Sequence, residues 1–168
     1  MTVLRVAGIK SGEGGTVAID DHVRFAFESP AGTGGTGTIV VVDEPSGTVE
    51  IGIDRATGRL RGVTLVTFAR QVLNASDDLV MSLPVDEGLP VLSADMFAGD
   101  ADERLPRIVV PGPIDLLRGA KFGIVRIGTA QPDRVIRSGD AVFLIAGDAL
   151  WGFGADRLSA DARARMTG

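Results

Sequence analysis

The chain has 168 residues and a formal net charge of −5, with one His, no Cys and no Tyr; apolar residues make up 45% and charged residues 23%. The absence of Cys excludes a disulfide framework, a zinc ribbon and a thiol nucleophile, and a single His excludes a multi-histidine metal centre. The acidic balance argues against a phosphate-backbone binder, which needs a basic face, so no nucleic-acid partner is expected.

The first residues, from Met1 to Gly8, lack the basic stretch and apolar run of a leader. Apolar runs such as Ile39 to Val42 fall far short of the roughly 20 residues that a membrane helix needs. A cytoplasmic protein with no membrane partner is the expectation. The 23 Gly and 8 Pro cut the chain into short Val- and Ile-rich pieces, which is the pattern of a mainly β domain. Strands are predicted at 3–9, 16–19, 23–28, 38–43, 48–54, 60–68, 107–110, 123–127, 141–146 and 149–153. Val23, Phe25 and Phe27 share one face of their segment while Arg24 and Glu28 share the other, and Val49, Ile51 and Ile53 repeat the pattern. A β-barrel or a two-sheet sandwich built from hairpins follows, as a single domain over 1–168.

His22 follows Asp20 and Asp21 and opens a predicted strand. Beside carboxylates it could act as a general base. No Gly-x-Ser-x-Gly elbow offers it a serine, so a turn with two acids is the expected role. The Gly-rich stretch 32–37 leads into a strand rather than a helix and no Lys follows it, so a surface loop is expected instead of a phosphate cradle. Residues 11–15 read the same way.

Residues 46–68 and 138–159 echo one another: Ser-Gly, an apolar strand, a short turn, then a second strand carrying Gly before its apolar end. Gly58 and Gly147 fall where the turns need a positive φ. Two hairpins of one design are expected, consistent with a duplicated unit. Arg55, Arg59 and Arg61 surround the first turn, and Arg134 and Arg137 precede the second hairpin; a solvated rim is expected for them.

Charge is unevenly placed. Residues 72–104 hold eight acids (Asp77, Asp78, Asp86, Glu87, Asp95, Asp100, Asp102 and Glu103) against one base, Arg104. With Pro84, Gly88 and Pro90 and no sustained alternation, the stretch reads as a long wet connection with short structured pieces (about 71–104) between an N-terminal β block (about 1–70) and a C-terminal one (about 105–168). Those eight carboxylates are the candidate contacts for a basic protein partner. Asp95, Asp100, Asp102 and Glu103 offer oxygen ligands, but Arg104 and Leu105 break the calcium-loop spacing, so no metal is expected.

Helical signals are few. Residues 113–119 run from Pro to Gly and suggest one or two turns. Residues 93–97 open like a short helix, and 159–166 like a longer one, with Ser159 as cap and Asp161 in the first turn. Trp151 and Phe153 alternate and are expected on one face; with Phe122 and Phe143 they are the candidate wall of a ligand shelf.

No catalytic set emerges and no cofactor is implied. The expected function is a non-enzymatic binding protein, of inhibitor or immunity type, using its acidic surface. The alternative is a small β-barrel cyclase or isomerase acting on an apolar metabolite by shape and orientation. Apolar strands also allow a homodimer.

Overall fold

The computed structural model describes residues 4–30, 34–97 and 106–168. Alternating Val-, Ile- and Phe-rich runs form β1 (Val6–Lys10), β2 (Thr16–Ala18), β3 (Phe25–Glu28), β4 (Thr36–Asp43), β5 (Gly47–Asp54) and β6 (Leu60–Phe68). The acidic stretch supplies β7 (Leu73–Asn74), α1 (Asp78–Met81), β8 (Val85–Glu87), β9 (Leu89–Leu92) and a 3-10 turn at Asp95–Phe97. The C-terminal part adds β10 (Arg107–Pro111), β11 (Asp115–Arg118), β12 (Gly123–Arg126), β13 (Arg134–Ser138), β14 (Ala141–Ala146), β15 (Ala149–Ala155) and α2 (Ala160–Thr167). Ser159 caps α2 as expected, its hydroxyl accepting from the Ala162 N–H at 3.1 Å.

The fold is mainly β and sandwich-like. A six-stranded sheet runs β10-β4-β5-β6-β3-β2, a seven-stranded sheet runs β7-β11-β12-β15-β14-β13-β8, and β1 pairs with β9 as a separate ribbon. Both sheets keep edges, so the barrel option is not realised. The sheets interlock through aromatics. Phe27 meets Phe143 edge-on at 5.2 Å between centroids, and Phe25 meets Phe153 at 5.6 Å. All four rings are buried with Ile39, Ile51 and Ile136 in one cluster.

The two sheets repeat one plan. Read from β10 and from β8, they run β10-β4-β5-β6-β3-β2 and β8-β13-β14-β15-β12-β11. In each, a parallel pair is followed by four antiparallel pairs. The echoing segments become the central hairpins β5–β6 and β14–β15, and Gly58 (φ 76°) and Gly147 (φ 63°) adopt the left-handed turn conformation predicted for them. The ribbon ties both turns: Leu92 N–H donates to the Gly58 carbonyl and Val6 N–H to the Asp148 carbonyl.

Several expectations are corrected. Residues 113–119 are not helical. They contain β11, whose Leu116 and Leu117 are buried on opposite faces, and a strand buried on both sides shows no alternation. The same reason hid β13, where Val135 and Ile136 pack into different clusters. The acidic stretch has the short structured pieces expected, but it does not stay wet throughout. Val80 packs on the outer face of the seven-stranded sheet, and Leu89, Leu92 and Phe97 enter the main core. Its strands are two to four residues long, too short for a periodic signal. The C-terminal block also lends β10 to the first sheet, while β7 and β8 of the acidic stretch flank the second.

Candidate functional site

Each of the repeated hairpins carries an irregularity at the same place, and β5–β6 has a second one at Val66. In β5–β6, Ile53 faces Leu60 and Gly52 faces Gly62, so Arg61 is an extra residue in its strand. In β14–β15, Ile145 faces Leu150 and Leu144 faces Gly152, so Trp151 is the extra residue. Each is a β-bulge, which shifts the alternation by one residue and re-aims the side chain. Trp151 and Phe153 therefore do not share a face. Trp151 packs with Phe122 and Leu144 on the outer cluster, whereas Phe153 and Phe143 lie in the inter-sheet core. The expected four-aromatic shelf is thus divided between two layers.

The backbone around the two bulges is also equivalent. The carbonyl of Arg61 accepts from Ser29 N–H at 2.9 Å; that of Trp151 accepts from Ile127 and Gly128 N–H at 2.8 and 2.9 Å. A Cβ on Gly62 would stand 3.0 Å from the Phe27 carbonyl oxygen, and one on Gly152 2.7 Å from that of Val125. Phe27 and Val125 hold matching register positions beside β6 and β15.

What fills the two niches differs. In the first, the Arg61 guanidinium donates to Thr36 Oγ1 (2.7 Å) and the Gly34 carbonyl (2.5 Å) and lies 3.5 Å from the Asp54 carboxylate. Asp54 also accepts from the N–H groups of Gly34, Ala56 and Thr57. Burial alone would raise the Asp54 pKa, but the amides of Thr57, Ala56 and Gly34 and the Arg61 charge outweigh it and hold the carboxyl below its usual value. No free volume remains between Ser29, Asp54 and Arg61. The expected solvated arginine rim is corrected on this point: Arg61 is a half-buried plug, and Arg59 pairs with Glu13.

In the second niche, Ala146 stands where Asp54 stands in the first, and Trp151 where Arg61 stands. The ion pair is gone and a cleft of about 130 Å³ remains, lined by Leu4, Val41, Val110, Ile127, Ala146 and Trp151 among others, none of them charged. Trp151 is 5% exposed, and its Nε1 is buried without a hydrogen-bond partner. Its Cδ1 edge faces Gly128, and Arg126 stands 6.0 Å from the ring centroid.

Among the described residues, the sequence-derived carboxylates lie on separate elements. Asp77 accepts from Ala120 N–H at 2.9 Å beside α1, and Asp78 is exposed in the first turn of that helix. Asp86 and Glu87 are exposed on β8, and Asp95 lies in the 3-10 turn. Asp100, Asp102 and Glu103 lie outside the described residues. His22 is held in a turn: Asp20 accepts from the N–H groups of His22 and Val23 at 2.7 and 2.8 Å. Those two amide bonds, Val23 first, keep the Asp20 carboxyl below its usual pKa. Among the described residues, no group of three or more His, Asp or Glu is placed to hold a metal ion. No helix among them is long and apolar enough to cross a membrane.

No family model matches this sequence, and no curated protein matches it. Its site therefore stands on geometry alone. One other polar cluster is prominent. Arg137 and Asp156 form a two-pronged pair, 2.6 Å on both prongs. Burial raises the Asp156 pKa, but the Arg137 hydrogen bonds and charge, with Arg157, lower it further, so the net shift is downward. Arg137 is correspondingly held above its usual value. These charges are committed to each other. Parity along β15 does not place Trp151, because it fails at the bulge. The signal that finds it is the echo itself, which sets Trp151-Gly152 against Arg61-Gly62.

Proposed function

We propose that this chain is a non-enzymatic binding protein whose ligand is a small apolar molecule held in the cleft beside Trp151. The observation that carries the reading is internal. The niche occupied by Arg61 and Asp54 in one half of the molecule is lined by Trp151 and Ala146 in the other and is left open. An apolar, uncharged recess of this kind is the usual form of a small-molecule site. Cavities of about 150 Å³ bind benzene, so one ring or one branched chain end fits here. A barrel enzyme has less support, because the sheets have edges and Phe25, Phe27, Phe143 and Phe153 fill the space between them.

Titration with toluene tests the reading. The methyl resonances of Val110, Ile127 and Leu150 should shift together and saturably. The substitution Ala146→Leu should weaken binding about tenfold by narrowing the cleft. Unsaturable shifts scattered over the whole spectrum would refute a site here. A basic protein partner is the second reading. It draws support from β8, which ends the seven-stranded sheet and displays Asp86 and Glu87 with the half-exposed Val85.

A further inference from the structure

Four buried side-chain polar atoms among the described residues have no hydrogen-bond partner: Arg61 Nε, Arg134 Nε, Ser138 Oγ and Trp151 Nε1. Trp151 alone among these residues lines the open cleft. A buried indole N–H ordinarily finds an acceptor, and leaving one unmatched is unfavourable. The first niche shows what the same position does elsewhere in the molecule: the terminal nitrogens of Arg61 reach Thr36 Oγ1 and the Gly34 carbonyl, although its Nε stays unmatched. In the second niche the bulge residue lines an open cleft, and its buried indole N–H has nothing to bond.

Resting on the reading of this cleft as a ligand site, we propose that the ligand is a small neutral molecule carrying one hydrogen-bond acceptor oxygen, and that Trp151 Nε1–H is the donor that recognises it. Neutrality follows from the lining, which holds no charged side chain and would leave an ion unpaired. The size is that of a ring of about six to eight non-hydrogen atoms, or the end of a longer molecule, judged against cavities that hold benzene. A carbonyl or ether oxygen meets the requirement, since it accepts one bond without bringing a donor that would itself need a partner. The indole N–H is sealed from solvent in the empty cleft, so the acceptor reaches it through a small yielding of the wall. Thr129 and Ala130, which line the cleft and belong to no strand, are a part of that wall free of sheet hydrogen bonding.

Cyclohexanone and methylenecyclohexane differ only by an oxygen in place of a CH₂ group and are the probes of choice. Trp151 is the sole Trp, so a ¹⁵N-labelled sample shows one indole N–H signal. Saturation with the ketone should move that proton downfield, whereas the hydrocarbon should shift the cleft methyls and leave the indole proton nearly unmoved. In Trp151→Phe the preference for ketone over hydrocarbon should fall about three- to tenfold, the worth of one hydrogen bond. The wild-type arm stands even if the variant folds poorly. If both probes bind but move the indole proton alike, the donor assignment is overturned while the cleft reading survives. If neither binds, the cleft reading falls and the donor assignment with it.

Discussion

Asp54 concentrates the electrostatics of the first hairpin in one residue. Its side chain is 7% exposed, accepts three backbone N–H groups and faces Arg61. Asp54→Asn keeps an acceptor oxygen but removes the charge, which should cost about 1–2 kcal/mol at neutral pH. The pH dependence has a definite sign. The folded carboxyl titrates below its unfolded value, so its contribution is fully present above the ordinary carboxylate pKa, about 4. That contribution is lost as pH falls through the folded value. Urea denaturation of wild type and variant should therefore differ by more at pH 7 than at pH 3. An equal gap at both pH values would show that ionisation of Asp54 is not what holds Gly34 and the turn.

The hairpins show what the sequence made legible at the scale of an element. Strands with one wet face, such as β3 with Phe25 and Phe27 inward, were readable from alternation. β11 and β13 were not, because Leu116 and Leu117, or Val135 and Ile136, are both buried and leave no periodic trace. The division of the aromatic candidates between two layers was hidden by a single inserted residue, Trp151, which no parity count reveals. The echo between 46–68 and 138–159 was legible and contained the site, in the alignment of Arg61-Gly62 with Trp151-Gly152. That alignment has a mechanical consequence. Gly62 and Gly152 each let a strand pass close to the neighbouring carbonyl, of Phe27 and of Val125. Gly62→Ala and Gly152→Ala should both destabilise, by about 1–3 kcal/mol, with Gly152→Ala the costlier because its Cβ would stand 2.7 Å rather than 3.0 Å from the oxygen. Thermal melts of the two variants check this. A Gly152→Ala protein as stable as wild type would mean the two bulges are not built alike.

At the scale of the whole molecule, the sheets are joined in ways that forbid independent unfolding. β10 comes from the C-terminal part of the chain and completes the sheet made by the N-terminal part. The ribbon of β1 and β9 bonds to the turns of both central hairpins. The inter-sheet rings pair one residue of β3 with one of β14 or β15. Removing either sheet would expose the buried Phe, Ile and Val side chains of the other. The first sheet should therefore not open without the second, and the molecule should unfold as a single cooperative unit. Trp151 reports on the seven-stranded sheet by fluorescence, while hydrogen exchange at Ile39 and Ile51 reports on the six-stranded one. Both probes should give the same unfolding free energy. Asp54→Asn, a change confined to the first sheet, should lower both by the same amount. A variant whose Ile51 amide loses protection while the Trp151 transition stays at the wild-type denaturant concentration would show that the shared core does not couple the halves, and that the two sheets fold separately.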